Sequence, residues 1–116
     1  MTVTIWHNPR CSKSRQTLDL LKSKGVEPTV REYLKVPPSK AEVERLMTQV
    51  GGDPRELIRD GEAEFKALKL MKADLTKADI VDAIVEHPVL LQRPIVVKGG
   101  HAAIGRPPEA VLPLLK

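Results

Sequence analysis

Sulfur is the scarcest resource for covalent structure in this chain. The 116 residues contain one cysteine, Cys11, so they can build neither an intramolecular disulfide nor a cysteine-rich metal site. A thiol left single in this way points to a reducing, cytoplasmic compartment. Aromatics are almost as rare: Trp6, Tyr33 and Phe65 stand alone, so the core must come from Leu, Val, Ile and Ala. No apolar run approaches the length of a membrane span, and no basic-then-apolar secretory leader opens the sequence, so no membrane association is expected. No His, Asp, Glu and Cys cluster has metal-ligand spacing, so no metal and no bound cofactor are expected. Internal repeats and low-complexity segments are absent. A net charge of +4 is compatible with an anionic small substrate. No stretch interleaves basic residues with aromatics, which weighs against a stacking platform for single strands, and no nucleic-acid partner is expected. The length suits one domain with one modest core, expected to be monomeric.

What is present reads as an ordered series of elements. Thr2–Trp6 is a short β-branched strand, broken by Asn8-Pro9. A helix over about 14–24 carries Leu18 and Leu21 and stops at Gly25, a residue suited to the left-handed position after a helix. A second strand over about 29–34 completes a βαβ unit. Pro37-Pro38 punctuate the chain, and Ser39 with Glu42 has capping-box spacing ahead of a helix to about Val50. Asp53-Pro54 suits the start of a further short helix carrying Leu57, Ile58 and Arg59. Helical segments at 63–68 and 77–86 follow, the second with Ile80, Val81, Ile84 and Val85 on one stripe. Two apolar runs around Gly99-Gly100 read as a β-hairpin, and a last helix carries Ala110, Val111, Leu114 and Leu115 with Pro113 inside it. The order βαβ, helices, ββα predicts an α/β fold with a thioredoxin-like core at 1–36 and 89–116. A helical insert over 37–88 separates its halves.

Cys11 therefore falls between a strand and a helix, where unpaired N–H groups and the positive end of the helix dipole converge. Both favour thiolate over thiol, as do Arg10, Lys13, Arg15 and an imidazolium at His7. The same amides suit a tetrahedral oxyanion. Such an anion also wants guanidinium forks, and the candidates are Arg59, Arg93 and Arg106. Arg93 and Arg106 flank the hairpin and so sit at the rim of the sheet. Cys11 and Ser14 form a C-x-x-S arrangement in which serine cannot resolve a disulfide. Electrons for any reduction at Cys11 must come from an outside thiol. A cysteine-phosphatase loop does not fit, because Thr17 stands where the arginine of that signature belongs and Arg15 comes too early.

The loop His7-Asn8-Pro9-x-Cys11, the run Arg93-Pro94-Ile95-Val96-Val97 and the pair Arg106-Pro107 together resemble the glutaredoxin-coupled arsenate reductase family. The resemblance covers essentially the whole chain. It implies reduction of arsenate to arsenite: Cys11 attacks arsenate, glutathione displaces the hydroxyl as co-substrate, and glutaredoxin completes the cycle. Arg59, Arg93 and Arg106 match the family's oxyanion-binding arginines, His7 matches the histidine near its thiol, and Pro94 is a candidate for a cis peptide. Plasmid-type members have a smaller residue before the cysteine, Gly-Thr after it and a longer tail. This chain resembles a shorter bacterial subgroup. Three other readings compete: a glutathione-dependent thiol reductase that does not use arsenate, an Spx-type redox-sensing regulator that binds RNA polymerase, and an iron–sulfur-bridging monothiol protein. The oxyanion arginines argue against the first. The lack of a C-x-x-C switch argues against the second, and the flanking sequence against the third.

Overall fold

A computed structural model of the chain describes residues 2–59, 61–68 and 74–115. The chain divides into two compact units, one formed by 1–36 with 93–116 and the other by 37–92.

The first unit is built on a four-stranded sheet. β1 (Val3–Trp6) pairs in parallel with β2 (Thr29–Arg31) and antiparallel with β3 (Ile95–Lys98), which pairs in turn with β4 (His101–Ile104) in the order β2-β1-β3-β4. The parallel pair needs a crossover, supplied by α1 (Ser12–Ser23); the antiparallel β3–β4 pair needs only the turn at Gly99-Gly100. Ile5 lies opposite Val96, and both are fully buried with Leu21 of α1 and Val111. Removing such a side chain from water contributes roughly 1.5–3 kcal/mol. Gly25 follows the C-cap Lys24 of α1, and its φ of 79° is a left-handed value that other residues adopt only with strain. This is the thioredoxin-like arrangement expected from the sequence.

The second unit holds α2 (Lys40–Val50), α3 (Ala63–Ala67) and α4 (Lys77–Glu86), with short 3-10 turns at Pro54–Leu57 and Pro88–Leu90. Its interior comprises Val43, Leu46, Leu57, Phe65, Ile80 and Ile84 with their neighbours. Both longer helices open on a reciprocal capping box, Ser39 with Glu42 and Thr76 with Asp79.

Five expectations need correction. The segment opened by Asp53-Pro54 is a 3-10 turn that ends at Leu57, so Ile58, which is extended, and Arg59 lie beyond it. The second strand is shorter than 29–34, because the N–H groups of Lys35 and Val36 both turn back onto the Glu32 carbonyl. α1 begins at Ser12, directly after the cysteine. The last helix is a 3-10 helix, Pro108–Leu115: Pro113 has no N–H, and its ring excludes the carbonyl that an α-helix would place against it. Residues 89–92 belong with the helical unit, not with the sheet. Arg59 N–H bonds the Leu90 carbonyl (2.7 Å), Gln92 N–H bonds the Leu57 carbonyl (2.8 Å), and Ile58 bridges to Leu91.

Candidate active site

The site starts where β1 runs out. Cys11 N–H donates to the Asn8 carbonyl (3.0 Å), and Arg10 N–H donates to Asn8 Oδ1 (3.0 Å), so one asparagine folds the turn with main chain and side chain together. Cys11 becomes the N-cap residue of α1, half-buried, with extended φ and ψ of −93° and 123°. Its side chain makes no capping hydrogen bond. The first-turn N–H groups thus remain available to a negative charge on the sulfur.

Two arginines from the far end of the chain meet this thiol. Arg106 Nη2 lies 3.5 Å from Cys11 Sγ, and its Nε donates to the Arg93 carbonyl at 2.7 Å. Burial pushes the Cys11 thiol up. The Ser14 N–H, the Arg93 side chain, the Lys13 N–H and the Arg93 charge outweigh it, so its pKa lies below that of an ordinary thiol. Thiolate is the nucleophilic form. Both arginines precede prolines in cis peptide linkage, Arg93-Pro94 and Arg106-Pro107.

His7 departs from its expected role. Its Nδ1 lies 2.6 Å from Ser14 Oγ, and that buried hydroxyl also accepts the Asn8 N–H at 3.1 Å. Burial, the largest influence, lowers the imidazole pKa; Glu32 raises it, and Arg15 and Lys22 lower it further. The expected imidazolium acting directly on the sulfur is replaced by a neutral ring anchored to Ser14.

Arg59 belongs to the second unit. Its Nε pairs with Glu62 (3.0 Å), its Nη1 with Gln92 Oε1 (3.0 Å), and its side chain is about three-quarters buried, with 23% exposure. Cys11, Arg93, Arg106, Ser14 and His7 are therefore brought together in the first unit, while Arg59 is pre-oriented in the other. No group of three or more potential metal ligands occurs among the described residues. No described helix is long and apolar enough to cross a membrane.

The strand-to-helix thiol facing two paired arginines has relatives. The profile of the ArsC family matches residues 6–114. The chain belongs to the ArsC family. An arsenate reductase of Haemophilus influenzae is 45% identical over 99% of this chain and 100% of its own length. An Escherichia coli K12 protein, YfgD, described as uncharacterized, is 48% identical over 97% of this chain and 96% of its own. The solved arsenate reductase of Vibrio cholerae superposes with a TM-score of 0.92 at 45% identity, covering 98% of each chain.

Sequence reasoning about this ArsC chain missed four working residues: the anchor role of Ser14, the turn-forming Asn8, and Glu62 and Gln92 around Arg59. The first two carried a signal, since Asn and Ser favour side-chain bonds to nearby backbone. Gln92 carried none, because it stands 33 positions from the arginine it holds.

Proposed function

We propose that this chain is an arsenate reductase that draws its electrons from external thiols. The observation that carries this reading is a single thiol with a lowered pKa facing Arg93 and Arg106, in a chain with no second cysteine. Cys11 thiolate attacks arsenic(V), and one arsenate oxygen leaves as water after protonation. A first external thiol then displaces a second hydroxyl. A second thiol attacks the sulfur of the first and carries it off as a disulfide, and the electron pair of that broken S–As bond stays on arsenic. Water then displaces Cys11 from the arsenic(III), releasing arsenite and the free thiolate. Two thiols are oxidised to one disulfide while one arsenic(V) becomes arsenic(III), so the balance closes. Arg93 and Arg106 hold the oxygens and match the charge that the thiolate would repel. Arg59 is the third oxyanion ligand in this reading, carried over from the family resemblance. Glutathione is the first thiol and glutaredoxin the recycling protein on the same ground, in a reducing cytoplasm that keeps Cys11 free. The names of the relatives weigh for arsenate and against the regulator reading.

The test follows NADPH loss with arsenate, glutathione, glutaredoxin and glutathione reductase, using Cys11→Ser as blank. A parallel arm supplies thioredoxin and its reductase instead. Arsenate- and Cys11-dependent turnover in the glutaredoxin arm alone is expected. Turnover only with thioredoxin replaces the recycling partner. No turnover in either arm, with Cys11 still forming a mixed disulfide with glutathione, transfers the chain to the thiol-reductase reading.

A further inference from the structure

Glycine at 105 has no conformational reason to be there. Gly25, Gly51, Gly52 and Gly99 take positive φ, whereas Gly105 does not. What it lacks is room. A Cβ at this position would lie 2.7 Å from Thr17 Oγ1, 3.1 Å from Thr17 Cγ2 and 2.8 Å from Pro94 Cγ. At the glycines at 25, 51, 52, 61 and 100 the same atom would meet nothing within 4 Å.

Neither neighbour gives way easily. Thr17 is fully buried, β-branched, and bonded through Oγ1 to the Lys13 carbonyl at 2.8 Å. Pro94 is a closed ring, and its carbonyl accepts the Gly105 N–H at 2.9 Å. Three segments thus meet at one point without a side chain between them: α1, the start of β3 and the end of β4. The residues adjoining this point are those of the site. Arg106 follows Gly105, Arg93 precedes Pro94, and α1 begins beside Cys11. Arg106 bridges all three by donating to the Arg93 carbonyl and reaching Cys11 Sγ at 3.5 Å.

We propose that Gly105 is a positioning residue: the missing side chain sets how closely Arg106 sits against Cys11 and Arg93, and so sets the grip on the bound oxyanion. A methyl group at 105 lifts the 105–106 segment away from α1 by several tenths of an ångström. Arg106 then loses the sulfur and its fork no longer converges with that of Arg93. The oxyanion part rests on the arsenate reading; the thiol part does not.

The experiment measures arsenate affinity by calorimetry and the Cys11 pKa by thiolate absorbance, in wild type, Gly105→Ala, Arg106→Ala and the double variant. Gly105→Ala is expected to weaken arsenate binding about tenfold, in the range of one lost charge-assisted hydrogen bond, and to raise the Cys11 pKa. In the Arg106→Ala background the same substitution should change neither quantity further, because its effect runs through Arg106. An equal loss in both backgrounds identifies general disruption and overturns the proposal, as does a Gly105→Ala protein with wild-type affinity and thiol pKa. Should Gly105→Ala not fold, Gly105→Ala with Thr17→Ala removes two of the three close approaches. That pair must then recover a folded protein with part of the affinity, or the steric account fails. If wild type binds no arsenate, the oxyanion reading fails by itself, and the thiol pKa series still decides whether Gly105 places Arg106.

Discussion

The N-termini of α1 and of α2 and α4 are built on opposite principles. At α2 and α4 a hydroxyl caps the first turn, an acid stands at the third helical position, and the two side chains satisfy each other's backbone N–H groups. At α1 the cap residue is Cys11, it makes no side-chain cap bond, and the first turn holds no acid. Lys13 and Arg15 stand there instead, with Arg10 just before. All three are exposed, and the Arg15 guanidinium donates to the Pro9 carbonyl at 3.2 Å. Capping bonds typically contribute about 1 kcal/mol, and acids near a helix N-terminus a further 0.3–1 kcal/mol. α1 forgoes both. Its uncapped N–H groups and basic first turn would be defects in a purely structural helix, and they are the means of stabilising an anion in a nucleophilic site. The difference separates a helix that is held by its start from one that uses its start.

The sharpest way to break this contrast is to make α1 resemble α2. Cys11→Ser places a favoured cap residue at the same position, so turnover should fall to the uncatalysed background while the melting temperature rises, corresponding to at most about 1 kcal/mol. Residual Cys11-independent turnover, or a destabilised variant, would contradict the trade. The reverse experiment is Ser39→Ala, which should cost about 1 kcal/mol in denaturant unfolding and leave kcat and KM unchanged, since α2 is held by its cap and carries no chemistry.

A smaller effect separates the two regions by pH. His7 has a folded pKa below its unfolded value, so the neutral ring contributes stability that is complete above the unfolded value. That contribution is lost as pH falls from there through the folded pKa. Cys11 has the same sign at higher pH: its contribution is complete above the unfolded thiol pKa and lost on descending through the lowered one. Unfolding curves in mildly acidic buffers should therefore show a stability drop that His7→Gln removes. An identical drop in both proteins would assign it elsewhere. The least effect concerns the outer cations. Arg10→Gln with Lys13→Gln should slow the reaction of Cys11 with an anionic aromatic disulfide about fivefold at low salt, and leave a neutral disulfide unaffected. Equal slowing of both probes would mean that these residues act on the thiol itself.

Much of the fold was readable residue by residue, because its signals are local. Ser39 with Glu42, Asp53-Pro54, Gly25 and Gly99-Gly100 each mark an element boundary within a few positions, and each was found where expected. Local signals failed where two of them competed. The apolar periodicity after Pro108 favours a helix, and Pro113 decides which kind. Leu90 and Leu91 satisfy an apolar pattern for either unit; their backbone bonds to Arg59 and Ile58 place them in the helical one. Within the site, the basic strand-to-helix loop and the thiol were legible. The orientation of His7 was not, because closeness in sequence does not say whether a ring faces the sulfur or the serine behind it.

The sequence alone determined the redox logic, since one cysteine among 116 residues cannot complete a dithiol cycle whatever the fold. It also determined the strand-to-helix setting of that cysteine, because propensity, Asn8-Pro9 and helical spacing act over a few residues. Tertiary structure alone decided which charges serve it. Arg106 reaches Cys11 across 95 positions of chain, and only because β3 lies antiparallel to β1 and brings the end of the hairpin back to the start of α1. The same packing set the Ser14 hydroxyl against His7 and left at Gly105 a gap too narrow for a single methyl group. Clearances and orientations of that kind arise from distant segments competing for one volume, and no local pattern encodes them.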